Sequence, residues 1–265
     1  MTNRIFAGIV FLFSLIIYIT TMASTTSFWD CGEFIASSYT LGVPHPPGTP
    51  LYLLIGNIFS SMFFFIDDIG ARVNLVSPIV SALSVMFMYL ITVQLIKKWF
   101  NSNDNKFSQI SIYCSALIGA LLFAFTDAQW FNAVEAEVYA MSTFFTAIVV
   151  WLALQWTEKR GEKGNVRYVI LIAYLMGLAI GVHLLNLLAI PFIGLIIYFT
   201  SSKDNTGGFL IDNFLTYILG LITFIGFDIL GSELTVCIVM TLFIIIISIV
   251  IRYLLTFVIF KNKFT

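Results

Sequence analysis

The sequence predicts an all-α, polytopic membrane protein with about eight transmembrane helices and a first outer loop containing interfacial helices, and three observations carry that prediction. Of 265 residues, 60% are hydrophobic and 10% charged, with mean hydropathy +0.99, against roughly 25% charged residues in a soluble domain. Apolar runs long enough for a hydrocarbon core of about 30 Å recur along the chain. Lysine and arginine gather between alternate runs, as the positive-inside rule requires. A net charge of −1 gives no argument for nucleic acid, so the partner that composition names is the lipid bilayer. Cys31, Cys114 and Cys237 make no metal-ligand spacing, and Cys31 alone is expected to face outside, so no structural disulfide is expected.

The first span, 5–23, follows Asn3 and Arg4 and runs from inside to outside. A cleaved signal peptide is the alternative, because Thr21-Met22-Ala23 resembles a small-residue cleavage site. Residues 24–50, STTSFWDCGEFIASSYTLGVPHPPGTP, form a long polar stretch in an otherwise oily chain. Ser27 to Asp30 reads as an S-x-x-D capping pattern, after which Asp30, Glu33 and Ser37 fall at i, i+3 and i+7 and place two carboxylates on one helical face. The run Pro44-His45-Pro46-Pro47-Gly48-Thr49-Pro50 excludes helix and predicts a rigid turn, with Thr49 and Pro50 suited to N-cap and N1 of the next helix.

Residues 51–66 are apolar but short, and Gly56, Asn57, Ser60 and Ser61 form a polar stripe that suits a helix lying in the interface. Keeping this segment outside gives further spans near 74–96, 108–125, 133–154, 168–182, 186–199, 209–229 and 234–256. Lys97, Lys98, Lys106, Lys159, Arg160, Lys163, Arg167, Lys203, Arg252, Lys261 and Lys263 then all fall on the cytoplasmic side, and Arg72 alone lies outside. The stretch from Tyr168 to Phe199 would be about 48 Å long as one helix, and Gly177, Gly181 and Pro191 predict a break near Gly181-Val182-His183 and Asn186.

Acidic and aromatic groups collect on the predicted outer face, from Asp127 to Tyr139 at the opening of one span and at Asp228 and Glu233 in a short loop after a later one. Asp30 and Glu33 read either as a solvated helix face or as a carboxylate pair in a cleft, one of them a base. Glu135 and Glu137, two apart near the start of a span, read as interfacial residues favoured by the helix dipole or as pocket residues, and in a helix they would not share a face. His183 is either a neutral imidazole in the helix break or a protonated one holding a phosphate. Arg72 either pairs with Asp67 or Asp68 or binds a phosphate, and His45 is a loop or site residue. No HExxH, P-loop or GxSxG motif occurs. No oxygen-rich constellation argues for a metal, although a carboxylate site for Mg²⁺ or Mn²⁺ is left open.

Three stretches together resemble a known family. They are Phe28 to Ala36 with Pro44 to Leu51, then Trp130-Phe131-Asn132-Ala133-Val134-Glu135-Ala136-Glu137-Val138-Tyr139-Ala140-Met141, and Gly177 to Asn186. Their order and sequence are similar to the domain of unknown function 2723 family, which includes the eukaryotic transmembrane protein 260. The resemblance implies a GT-C glycosyltransferase fold over 1–199 that includes the outer loop 24–73, with 200–265 adding further helices. It also implies a polyprenyl-phosphate sugar donor, an acceptor protein and, in the eukaryotic branch, protein O-mannosylation. Asp30 and Glu33 take the catalytic place on that reading. His45, Arg72, Trp130, Asn132, Glu135, Glu137, Tyr139, His183 and Asn186 are the candidate substrate-binding residues, with His183 or Arg72 holding the donor phosphate. Family members usually continue well beyond residue 265, so an inactive or truncated member is one alternative expectation, and a lipid-linked sugar transporter or flippase is another.

Overall fold

A computed structural model describes residues 2–46, 48–100 and 106–201. Among these residues regular structure is helical, with no strand. The chain divides into two compact units, Met1–Ile190 and Pro191–Thr265. Of the second unit the description reaches Pro191 to Ser201, so the spans expected at 209–229 and 234–256, and the acids Asp228 and Glu233, lie outside the described residues.

The first unit is built around α5 (Val76–Phe100), which packs against α1 (Thr2–Thr21), α6 (Lys106–Ala124) and α8 (Val138–Glu158). At 1.5 Å per residue its 25 residues reach about 37 Å, and Lys97 and Lys98 in its last turn complement the helix dipole. Small residues let its neighbours approach, with Ala82, Ala116, Ala120 and Ala124 all buried in one cluster. Tyr18 of α1 is buried there and donates its hydroxyl to the Ala124 carbonyl at 2.8 Å.

Among the described residues, three helices are long and apolar enough to cross a membrane: Thr2–Thr21, Ile69–Trp99 and Val138–Glu158. A fourth span is present if Ser108–Ala124 is counted with α7 (Asp127–Ala133), from which it bends by 68°. The span expected over 133–154 thus starts later, at Val138, because Asp127 to Ala133 forms its own short helix. The stretches expected at 168–182 and 186–199 are α9 (Val166–Ile180) and α10 (Ala189–Ser201), with a 3₁₀ turn, Leu184–Leu188, between them. They have 15 and 13 residues, about 22 and 20 Å of helix. The break falls at Gly181 to His183.

The first outer loop folds as a helical hairpin. Here α2 (Cys31–Thr40) ends in a left-handed Leu41, with the Gly42 amide donating to the Ser37 carbonyl at 2.9 Å. A proline turn follows, and Pro50 opens α3 (Pro50–Met62). The Gly56, Asn57 and Ser60 side of α3, expected as a polar stripe, packs inward: Asn57 donates to the Ser38 and Tyr39 carbonyls, and a Cβ at Gly56 would sit 2.5 Å from Ser38 Oγ. Its exposed face is apolar, with Leu54, Ile58 and Met62 outward. Next, α4 (Ile69–Asn74) is capped by Asp68, which accepts the Ala71 amide at 2.9 Å. Asn74 is buried and donates to the carbonyls of Ala23 and Thr25, fixing where the loop leaves α1.

Candidate functional site

The three motif-bearing stretches, far apart in sequence, meet in the first unit. The Ala23 amide donates to the Val134 carbonyl at 2.8 Å, the Leu51 amide donates to the Gly181 carbonyl at 2.8 Å, and Tyr139 stacks on His183 with ring centroids 5.2 Å apart. Two tiers of carboxylates result, one exposed and one buried.

The exposed tier is Asp30, Glu33 and His45. Trp29 adopts a left-handed backbone at φ 60° and Asp30 becomes the N-cap of α2. For a bulky residue that conformation is uncommon and strained. No side-chain cap bond forms, so the expected S-x-x-D capping box is not built. Ser27 instead bonds to Glu135. Glu33, one turn along, receives the His45 amide on Oε1 and His45 Nδ1 on Oε2, each at 2.7 Å. These hydrogen bonds hold the Glu33 carboxyl below its ordinary range and raise the imidazole, which the charges of Glu33, Asp30 and Glu137 raise further. One ligand-type atom from each of Asp30, Glu33 and His45 lies within 4.8 Å of the others. His45 also lies 5.6 Å, centroid to centroid, from Phe34, whose burial anchors this face of the hairpin.

The buried tier is Glu135, Glu137 and Cys31. Between α7 and α8 the chain makes a tight turn closed by the Glu137 amide on the Glu135 carbonyl at 2.9 Å. Both glutamates are buried, at 5% and 6% exposure. The helical-face argument that separates them does not apply, because this segment is not helical. Cys31, next to Asp30 in sequence, is fully buried and carries a free thiol. Its Sγ lies 3.9 Å from Glu137 Oε1 and it also bonds to Glu135. Burial raises the Glu135 carboxyl, while burial and then the charge of Asp30 push Glu137 up to about 7. Burial and the two glutamate charges push the Cys31 thiol up to about 12. Tyr52, fully buried beside Phe34, is raised by the same desolvation.

The other sequence-predicted residues separate by what their polar atoms touch. His183 accepts the Leu185 amide on Nδ1 at 3.1 Å, which leaves the proton on Nε2, and burial lowers its pKa. Of the two expected readings of His183, these contacts favour the neutral imidazole in the helix break. Arg72 directs its guanidinium at the carbonyls of Ile66, Ser60 and Asp67, clamping the turn between α3 and α4. Asn186 is buried and makes four bonds, donating to Ala179 and His183 carbonyls and accepting from Ser142 and Thr146. Trp130 packs edge-on to Tyr18, and Asn132 donates back to the Ala128 carbonyl. Tyr139 remains exposed beside His183. Cys31, Ser27 and Tyr52 are site neighbours that sequence reasoning did not single out. A signal existed for the first, since Cys31, Ile35 and Ser38 fall at i, i+4 and i+7, and all are buried.

Residues 30–206 match the family described as "Protein O-mannosyl-transferase TMEM260 N-terminal domain". The chain is 30% identical over 207 residues to "Protein O-mannosyl-transferase tmem260" of Dictyostelium discoideum, covering 74% of this chain and 23% of that protein. It is 23% identical over 176 residues to "Protein O-mannosyl-transferase TMEM260" of Mus musculus, covering 66% of this chain and 22% of the relative. The match thus spans less than a quarter of either relative's length. No solved structure matches the chain. Because the family match runs over residues 30–206, more than half of the 265-residue chain, the chain belongs to the TMEM260 N-terminal domain family.

Proposed function

We propose that this chain is the catalytic module of a GT-C-type membrane glycosyltransferase that moves a hexose, most simply mannose, from a polyprenyl phosphate to a Ser or Thr hydroxyl of a translocated protein. The observation that carries this reading is the exposed Asp30 carboxylate standing at the junction of the three stretches, next to the Glu33–His45 pair. The names of the two relatives supply the sugar and the acceptor class. In the full topology eight spans hold this junction on the non-cytoplasmic face, the periplasmic one if the membrane is bacterial.

In the reaction the acceptor oxygen attacks the sugar's anomeric carbon from the face opposite the phosphate. The bond from that carbon to the phosphate oxygen breaks, polyprenyl phosphate leaves, and the hydroxyl proton passes to Asp30, so the sugar inverts. Glu33 and His45 hold the α2 end against the proline turn. Glu135, Glu137 and Tyr139 line the sugar or acceptor pocket, and His183 offers its Nε2–H as a neutral donor. Substrate phosphate is a good leaving group and needs a positive charge beside it rather than a general acid.

The direct test uses the full chain in liposomes with radiolabelled polyprenyl-phosphate mannose and a Ser/Thr peptide. Label on the peptide supports the transferase. Label carried across the bilayer with the peptide unlabelled replaces it with a flippase, and neither outcome leaves an inactive family member.

A further inference from the structure

We infer that Lys159, Arg167 and Tyr168, where α8 gives way to α9, form a binding site for the headgroup of an anionic phospholipid. The 21 residues of α8 make about 31 Å of helix, which matches a hydrocarbon core of about 30 Å from end to end. Glu137 caps one end and Lys159 the other, so the two stand at opposite headgroup layers. The site therefore lies on the face away from the carboxylates, and it does not depend on sugar transfer.

The loop between the two helices is folded to bring its cations together. Successive turns run from the Glu162 amide on the Lys159 carbonyl to the Arg167 amide on the Gly164 carbonyl, and Gly161 and Gly164 supply left-handed backbone at φ 86° and 80°. Lys159 Nζ donates to the Tyr168 hydroxyl at 2.8 Å and sits 5.3 Å from the ring centroid. The Arg167 guanidinium bonds to the same side chain, with Cζ 5.3 Å from the same centroid. By contrast, the Tyr113 ring meets the single cation Lys97. Among the described residues neither Lys159 nor Arg167 is in an ion pair, and Glu158 and Glu162, the acids of this segment, are exposed.

Two like charges on one ring repel, and Arg167 also stands in the first turn of α9, where the helix dipole disfavours a cation. A phosphate relieves both costs, since its oxygens accept from the two cations and a helix N-terminus favours an anion. The rest of the lipid has a place as well. Arg167, Ile170, Leu171 and Tyr174 fall at i, i+3, i+4 and i+7 and all are exposed, so an apolar stripe for an acyl chain runs along α9 from the cations. A zwitterionic headgroup would bring a further cation to a site that already holds two, so charge selects an anionic one.

The test is titration of the purified full chain in detergent with phosphatidylglycerol, read as lipid-bound chain by native mass spectrometry. One tightly held lipid per chain is expected, with affinity falling about fivefold in Arg167→Gln and in Lys159→Gln. Lys163→Gln, which removes an exposed cation of the same loop that does not touch the Tyr168 ring, should leave affinity unchanged. Phosphatidylcholine should bind at least about fivefold more weakly, and melting temperatures without lipid should match among the variants. If Lys159→Gln unfolds the chain, the exposed Arg167 variant decides the matter alone. Equal losses in all three variants would reduce the site to general surface charge and overturn it. Phosphatidylcholine held as tightly would make the apolar stripe the only determinant, and displacement of the lipid by inorganic phosphate would make a soluble anion the ligand; either result overturns the lipid site.

Discussion

Glu33 and Glu137 are the same side chain in two settings, and the molecule treats them oppositely. Glu33 has 40% of its side chain exposed and takes two hydrogen bonds from His45, and its carboxyl is held low. Glu137 has 6% exposure and a thiol neighbour, and its carboxyl is pushed up to about 7. Glu33 is therefore an anion at neutral pH, whereas Glu137 stands near half protonation. A count of acids on the outer face says little about chemistry. Burial and partner decide which acid holds a charge and which holds a proton.

The largest effect that separates the tiers is expected at Asp30. Asp30→Asn removes the proposed base and lowers sugar transfer by about 10²–10⁴-fold, the usual worth of a general base. The melting temperature stays put because the residue is exposed. Loss of the fold in that variant, or full activity with it, would merge the two tiers into one structural cluster. At Glu33, Glu→Gln is expected to lower transfer about tenfold and to return the His45 pKa toward its ordinary 6.5, read from imidazole proton shifts in NMR.

The buried tier gives a stability signature. A carboxyl raised from 4.5 to about 7 binds more protons folded than unfolded, so stability is full below about pH 4.5 and falls as pH rises through 7. The loss attributable to Glu137 is on the order of 1–3 kcal/mol. Glu137→Gln should flatten that slope in thermal melts at pH 5 and pH 8, and an unchanged slope would mean that water reaches the carboxylate. The smallest effect is chemical: with Cys114 and Cys237 replaced by serine, Cys31 should resist iodoacetamide at pH 8 until the protein unfolds, because its thiol is buried and pushed up to about 12.

Much of the architecture was legible because it follows from period and charge. Among the described residues the apolar runs appear as helices, α3 has 13 residues, and Gly181 marks the break after α9. What sequence hid were places where the chain stops being regular. The helical wheel parts Glu135 from Glu137, yet a three-residue turn brings both to Cys31. Likewise the stripe on α3 looked water-facing from composition, but Gly56 and Asn57 give α2 a close, hydrogen-bonded seat while the apolar side faces out. Asn186 and Arg72 carried the polarity of site residues, and their hydrogen bonds go to the scaffold.

The bonds from Ala23 to Val134 and from Leu51 to Gly181 are both made by main-chain atoms. Such bonds are indifferent to side-chain identity, and proline at the donor position is the substitution that removes one outright. Evolutionary drift can therefore rewrite most of the surrounding side chains while the three segments keep their places, so a lineage is free to change what the pocket accepts without rebuilding the framework that positions it.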